Sequence, residues 1–318
     1  MAKVRERILD SLTRNAPPLR SLLILTQDIR LGRRLADIME VPSILLDVSL
    51  DASITRLADH PLIRNASHVV ELYQPTLADS IYAKALRNLL LDRGKSVLSL
   101  WNWDERYLAD EFWGDLEYPA IASAAAALAR RMEKASTVRV TSDLGTDISF
   151  SVAGRSWIAA DGYCAPGKLA QLPDGEIYTC PVEESFYGRI VIDGTISRLW
   201  LPDKPVALRF EAGRMVEADP RFEQWLWSNA GGVDMIGEFA IGMNPMVHGP
   251  YANISVDEKE AGSVHFALGD SYRLGLTESV YHVDFVVRNP VITVDGTVLK
   301  DYLPAVQPQK GGAVAVSL

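Results

Sequence analysis

The chain has 318 residues, of which 48% are hydrophobic and 23% charged, so it is long enough to form two domains with buried cores. Its formal net charge of −9 argues against nucleic acid or an anionic membrane as the main partner, because both require a basic face. The two cysteines, Cys164 and Cys180, are too few for a disulfide framework and are predicted to be reduced, structural thiols.

The first residues predict a helix and no targeting segment. MAKVRERILD (1–10) lacks the apolar core of a signal peptide and has the pattern of an amphipathic helix. No apolar run approaches the ~18 to 20 residues that a membrane-spanning helix needs. We therefore expect a cytoplasmic protein without a membrane segment.

Short apolar runs alternate with helix-like stretches through the first 135 residues. The apolar runs are SLLILT (21–26), PSILLDV (42–48), SHVVELY (67–73) and SVLSLW (96–101), and the helix-like stretches are 28–39, 78–92 and 118–135. This alternation predicts a small open α/β sheet with largely parallel strands. Neither G-x-G-x-x-G nor a Walker A string occurs, so nucleotide binding is not predicted.

From residue 137 onward the pattern changes to strands separated by Gly, Pro and Asp turns. These strand-like runs are TVRVTS (137–142), DLGTDISFSV (143–152), RIVIDG (189–194), ALRFEAGRMVEAD (207–219) and PVITVDGTVL (290–299). The DG and AG steps between them are typical of hairpins. The sequence therefore predicts an α/β N-terminal domain at 1–135 and a β-rich, metal-binding domain at 136–318.

Three apolar runs in the second half carry potential metal ligands. YHVDFVV (281–287) alternates like a buried strand, which places His282 and Asp284 on the same side. SVHFALG adds His265, and IGEFAIG adds Glu238. A buried carboxylate costs several kcal/mol unless a positive or hydrogen-bonding group offsets it, and none of the three runs contains Lys or Arg. Imidazole and carboxylate together are ligands of Zn, Mn, Co and Mg, so these runs predict a metal site.

These motifs resemble a known family. The runs LPDGEIYTCPVEESFYGRIVIDG (172–194), IGEFAIGMNP (236–245), DEKEAGSVHFALGDSY (257–272) and YHVDF (281–285) are similar, in order, to the aminopeptidase T / aminopeptidase S family of dinuclear metallopeptidases. The similarity covers about residues 136–300. It implies that the metal ligands are Glu176, Glu238, His265, His282 and Asp284, and that Tyr272, seven residues after the first His, lies close to the metals.

The resemblance implies an aminopeptidase that removes N-terminal residues from small peptides or peptide-like substrates. Two divalent ions, Zn, Co or Mn, would activate the attacking water. Glu238 is the candidate bridge between the ions, and Tyr272 would ligate a metal or donate to the developing oxyanion. The family also implies a homodimer. The N-terminal half is shorter than in long family members, so chemistry is expected to carry over better than substrate specificity.

Two other functions and one catalytic role stay open. Ring-cleaving dioxygenases of dihydroxypyridine share this fold, but in them a mononuclear Fe(II) site has His in place of Glu238 and lacks the counterparts of Glu176 and His265. Because this chain keeps all three, the two-metal site is favoured. Another non-peptidase enzyme on the same scaffold is included in this alternative, and the third possibility is a binding protein with a structural metal. Glu183 and Glu184 in PVEES are interpreted as a solvated pair beside a turn, and the alternative is that one of them is a general base.

The two predicted domains are expected to contribute differently to the metal site. The α/β layer is predicted to form walls of the cleft and to supply no metal ligand, which leaves His60 and His68 outside the site. Asp257, Glu258 and Lys259 of the VDEK segment (256–259) are expected to order the site by contacts behind the ligands.

Overall fold

The protein is described from a computed structural model that covers residues 2–113, 118–197 and 200–304. Its helices are α1 (Ala2–Thr13), α2 (Ile29–Met39), α3 (Pro61–Asn65), α4 (Ser80–Asp92), α5 (Asp110–Trp113), α6 (Tyr118–Met132), α7 (Pro220–Ala230) and α8 (Ile254–Asp257). Short 3-10 helices span Ile54–Asp59, Glu105–Leu108 and Glu183–Ser185. In these described ranges, every helix is too short or too polar to cross a membrane.

The strands fall into one parallel and two antiparallel sheets. They are β1 (Leu22–Thr26), β2 (Ser43–Asp47), β3 (His68–Leu72), β4 (Ser96–Ser99), β5 (Thr137–Thr141), β6 (Asp147–Ser151), β7 (Ile158–Ala160), β8 (Leu169–Gln171), β9 (Glu176–Thr179), β10 (Tyr187–Ile192), β11 (Val206–Glu211), β12 (Arg214–Ala218), β13 (Ile236–Gly242), β14 (Val264–Gly269), β15 (His282–Val287), β16 (Val291–Val294) and β17 (Thr297–Val298).

The parallel sheet has the strand order β2-β1-β3-β4-β8 and is covered by helices on both faces. Strands β1, β3 and β4 are buried along their whole length, which is typical of a parallel sheet between helical layers. Leu22 and Ile24 pack with α1 and α2, whereas Leu23 and Leu25 pack with α4 on the opposite face. The predicted open α/β layer is confirmed.

Strand β8 joins the parallel sheet from the second half of the chain. Leu169 pairs with Val97 and Gln171 with Ser99, in parallel register beside β4. Five residues after Gln171, Glu176 begins β9 in a different, antiparallel sheet. This short connection ties the parallel sheet to the sheet that carries the candidate ligands. The boundary at 135/136 remains a prediction.

The two antiparallel sheets pack face to face around one apolar core. Their strand orders are β12-β11-β10-β6-β5-β16-β17 and β15-β14-β13-β9-β7. Phe150 and Phe210 enter the core from the seven-stranded sheet, and Phe239, Phe266 and Phe285 enter it from the five-stranded sheet. The rings of Phe150 and Phe239 lie 4.9 Å apart between centroids. Because strand side chains alternate, the residues between these core positions face away from the core.

Candidate metal centre

The candidate ligands lie on the face of the five-stranded sheet that points away from the core. On β15, Val283 and Phe285 enter the core, so His282 and Asp284 face the opposite way, as the alternation predicts. His265 lies between core residues on β14 in the same manner. Strands β14 and β15 are hydrogen-bonded neighbours, so the three side chains share one face.

A bulge in β13 turns Glu238 toward this face. The pairing of β13 with β14 shifts register between Ile236 and Glu238, which makes Gly237 the extra residue. Ile236 and Phe239 therefore both reach the core although they are three positions apart. A methyl group on Gly237 would overlap the carbonyl oxygen of Gly269, so only glycine fits this close approach. Bulges commonly redirect a side chain beside an active site.

Small residues leave room between the polar groups. Ala267 lies across from Glu238 on one side and from Asp284 on the other, so a methyl separates the two carboxylates along this row. In the neighbouring row, Ala240 lies beside His265. The short side chains of Ala240 and Ala267 therefore leave space on this face beside the polar groups.

The donor atoms converge on Glu238. His265 Nε2 lies 3.1 Å from Glu238 Oε1, and His282 Nε2 lies 3.5 Å from Glu238 Oε2. His282 Nε2 is also 2.9 Å from Asp284 Oδ1, and His265 Nε2 is 3.6 Å from Glu176 Oε2. Ligand atoms of Glu238, His265 and Asp284 lie within 4.8 Å of one another. The structure thus brings together all five residues; their role as ligands stays a prediction.

Unpaired donor atoms in this cluster fit a divalent metal. Glu176 Oε2 is buried and has no hydrogen-bond partner among the described residues, while Glu176 Oε1 accepts from Lys259 Nζ at 2.5 Å. His282 Nδ1 lies 2.7 Å from the backbone carbonyl of Asp270, which can only accept, so Nδ1 carries the hydrogen. His282 Nε2 therefore faces Asp284 across a proton or a metal ion, and a histidine oriented in this way is typical of metal sites.

In the metal-free protein the imidazoles hold protons. Burial lowers the pKa of His265, but the hydrogen bond with Glu238 and the charge of Glu176 outweigh it and raise the pKa to about 9. The pKa of His282 is also raised, because Asp284 outweighs the effect of burial. Burial would raise the pKa of Asp284, but His282 beside it holds that pKa below its usual range. A metal entering this cluster must displace these protons.

A buried lysine balances part of the negative charge. Lys259, 3% exposed, lies 2.5 Å from Glu176 Oε1 and 2.8 Å from Glu258 Oε1. Burial lowers the pKa of Lys259, but the two carboxylates raise it well above its ordinary value. Burial raises the pKa of the adjacent Asp174 to about 6. The three apolar runs contain no Lys or Arg to offset the buried carboxylates. Lys259 of the VDEK segment supplies that positive charge.

A cavity of about 400 Å³ lies in front of the cluster and is lined by all five candidate ligands. Its other wall includes Lys84 and Arg87 of α4 and Trp101 after β4. Tyr272 lines it as well, with its ring centroid 4.5 Å from that of His282 and its hydroxyl 3.4 Å from Lys84 Nζ. The sequence did not predict Lys84 or Arg87, because the α4 pattern does not show which polar residues face the second domain.

The two glutamates considered as general bases do not line the cavity. Glu183 is buried, pairs with Arg155 at 2.5 Å and accepts a hydrogen bond from the backbone amide of Leu276 at 2.6 Å. Glu184 is exposed. A carboxylate must reach the reacting water to act as a base, so the geometry supports this role for neither residue.

The remaining residues considered from the sequence lie apart from the cluster. His60 caps α3 and His68 is buried in β3, and neither lines the cavity. Cys164 and Cys180 are buried free thiols, in agreement with the sequence-based prediction.

A match to a family model identifies this protein as a metal-dependent peptidase. The sequence model of the thermophilic metalloprotease (M29) family matches residues 117–302, and this match includes all five candidate ligands and Tyr272. The chain belongs to that family, and the resemblance seen in its motifs is confirmed.

Solved structures of two proteins share the fold over almost the whole chain. The 2,5-dihydroxypyridine dioxygenase from Pseudomonas putida KT2440 is 17% identical with a TM-score of 0.70, covering 93% of this chain and 94% of that one. Wild-type AmpT from Thermus thermophilus is 15% identical with a TM-score of 0.66, covering 94% and 97%. At these identities the likeness shows the fold alone. A comparison with curated proteins finds no match.

Proposed function

We propose that this peptidase is an aminopeptidase that releases N-terminal residues from small peptides or peptide-like substrates. We further propose that it uses two divalent ions, Zn, Co or Mn, held by Glu176, Glu238, His265, His282 and Asp284. The observation that carries the proposal is the convergence of these side chains on one face of a sheet, inside the segment that matches the family.

The geometry around Glu238 supports two ions. Its Oε1 faces His265 and its Oε2 faces His282, so one carboxylate contacts both imidazoles through different oxygens. Glu176 lies on the His265 side and Asp284 on the His282 side. In this assignment Glu238 would contact both ions, Glu176 and His265 would hold one of them, and Asp284 and His282 would hold the other. When bound, the ions would act as Lewis acids toward water and the scissile carbonyl.

Tyr272 is the residue that we assign to the developing oxyanion. Its hydroxyl lies at the cavity wall beside Lys84 Nζ, and its ring packs over His282. A phenol in this position can donate a hydrogen bond to the carbonyl oxygen as negative charge develops there. Arg87 and Trp101 line the same cavity.

Metal counting combined with two matched substrates tests the proposal. Protein loaded with Zn, Mn or Co should contain two ions per chain and release the first residue of a short peptide and of an aminoacyl anilide. The same peptide with an acetylated amino terminus should resist cleavage, and a chelator should abolish the activity.

The contrary results are equally specific. Cleavage of the acetylated peptide at an internal bond would show that the protein is an endopeptidase and not an aminopeptidase. One Fe(II) per chain with O₂-dependent turnover of an aromatic substrate, and no peptide cleaved under any metal, would favour the ring-cleaving dioxygenase. One tightly held ion without any turnover would favour a binding protein.

We also propose a homodimer, on the family resemblance. Light scattering at micromolar concentration should give a mass near twice the 35.0 kDa of one chain. A mass near 35.0 kDa would exclude the dimer under those conditions.

A further inference from the structure

The loop between β14 and β15 carries Tyr272 in an unfavourable backbone conformation. Tyr272 and Arg273 have φ angles of 51° and 66°, so two consecutive residues with side chains occupy the left-handed region. Such a conformation is energetically unfavourable for residues with side chains and persists where the surroundings hold it. The position of the Tyr272 ring therefore depends on contacts elsewhere in the loop.

Ser271 closes the loop from inside. Its backbone amide donates to the carbonyl of Thr277 at 3.0 Å, and its hydroxyl donates to the same oxygen at 2.7 Å. The amide of Gly275 donates to the Ser271 hydroxyl at 3.3 Å. These bonds define the shape of the loop but do not anchor it to the rest of the protein.

Two contacts anchor the loop to the rest of the protein. The Thr277 hydroxyl donates to the carbonyl of Ile236 at 3.1 Å, and an ion pair between Arg155 and Glu183, which we call the Arg155–Glu183 clamp, holds residues 274–276. The two side chains meet at 2.5 Å, and Glu183 is only 6% exposed. Each partner also binds the loop backbone: Glu183 Oε1 accepts from the Leu276 amide at 2.6 Å, and Arg155 Nη1 donates to the Leu274 carbonyl at 3.1 Å. Arg155 Nη2 donates to the Pro181 carbonyl at 3.2 Å, which fixes the guanidinium itself.

Gly275 lets the loop rest directly on the clamp. A methyl group at this position would overlap Cys180 Sγ and Glu183 Oε1, so any side chain here would lift the loop. Burial raises the pKa of Glu183, but the Leu276 amide and the Arg155 charge outweigh it and hold the pKa below its ordinary value. The carboxylate is therefore ionised and fully engaged with the loop and Arg155.

We propose that Arg155 and Glu183 are positioning residues for the peptidase reaction, which hold the loop so that the Tyr272 hydroxyl stays at the cavity wall. The inference rests on the proposed function, in which Tyr272 stabilises the oxyanion. Neither clamp residue lines the cavity, so both act through Tyr272. The clamp also accounts for the buried Glu183 carboxylate, which lies away from the cavity and binds Arg155 and the loop instead.

A double-mutant cycle tests whether the clamp acts through Tyr272. Glu183→Gln keeps an acceptor for Leu276 but removes the charge that Arg155 needs, and Gly275→Ala moves the loop without changing any charge. Each should lower kcat about 10- to 100-fold with little change in KM, as expected for a small displacement of a catalytic group. In a Tyr272→Phe background neither should cause a further loss. Glu184→Gln, on the same 3-10 helix but exposed, is the matched control and should behave as wild type.

Hydrogen exchange gives a readout that does not depend on activity. Amides of residues 271–277 should exchange faster in Glu183→Gln than in wild type or Glu184→Gln, with bound metal and global exchange unchanged. Equal losses of kcat with and without the Tyr272 hydroxyl, or unaltered exchange in the loop, would overturn the inference. If wild-type protein cleaves no peptide, the proposed function fails, and exchange alone then decides whether the clamp holds the loop.

Discussion

At the scale of single residues, two of the candidate ligands, Glu176 and His282, each have one polar atom fixed by the protein and another presented to the cluster. Lys259 fixes Glu176 Oε1 and leaves Oε2 facing His265. The Asp270 carbonyl fixes His282 Nδ1 and leaves Nε2 facing the carboxylates. Donors fixed in this way lose little conformational entropy when an ion binds, which favours tight and specific coordination.

Replacement of Glu238 by alanine tests the bridge. Glu238→Ala removes both oxygens that face the two imidazoles, so bound metal should fall from two ions to one or none and peptide hydrolysis should fall to background. Elemental analysis and a peptide-release assay measure both effects, with Glu184→Ala as the control. A variant that still binds two ions and cleaves peptides at the wild-type rate would show that Glu238 does not bridge.

Removal of the Tyr272 hydroxyl should be milder. Tyr272→Phe keeps the ring packed on His282 and deletes only the donor, so metal content should be unchanged. If the phenol stabilises the oxyanion, kcat should fall by about 10² to 10³ with a similar KM. Steady-state kinetics on one aminoacyl anilide are sufficient to measure this. An unchanged kcat would show that Tyr272 contributes only packing.

At the scale of secondary structure, strand alternation explains how much of the site could be predicted. The pattern of 281–287 correctly placed His282 and Asp284 on one side. The β13 bulge could not be predicted from its own run, because it depends on the backbone of Gly269 across the strand pair. Lys259 and Lys84 enter the site through tertiary contacts, which local periodicity does not contain.

The bulge can be tested at Gly237. In Gly237→Ala the new methyl would overlap the Gly269 carbonyl, which cannot move without disturbing the pairing of β13 and β14. We expect a loss of about 1–3 kcal/mol in the free energy of unfolding and weaker metal binding, because Glu238 lies next to the bulge. Chemical denaturation and metal titration measure the two effects. Wild-type stability together with wild-type metal affinity would show that the bulge tolerates a side chain.

At the scale of the whole molecule, the cavity depends on contacts between the two halves. The alternation of apolar runs and helices predicted the parallel strands β1 to β4 correctly. It did not predict that Leu169–Gln171 returns to that sheet, because three residues are too few to show a strand pattern and their burial comes from pairing with β4. That return places α4 opposite the ligands, so a wall of the candidate site is a property of the tertiary fold.

Metal binding should depend on pH, because His265 must lose its proton. Its pKa in the metal-free protein is about 9, above the ordinary 6.5, so the proton stabilises the metal-free fold fully below about pH 6.5. This contribution is lost as the pH rises through about 9. A metal competes with that proton, so its affinity should fall as the pH falls below about 9, by about tenfold per unit for each proton displaced.

The linked quantity to measure is the increase in melting temperature on adding metal. At a fixed free concentration of Zn or Mn, the increase should be larger at pH 8.5 than at pH 6.5, because binding stabilises the fold in proportion to the logarithm of the affinity. His282, whose pKa is also raised, should add to the effect. His265→Ala removes one of the protons and should flatten the pH dependence along with weakening the binding. An increase of equal size at both pH values in the wild type would mean that the metal binds without displacing protons from this cluster.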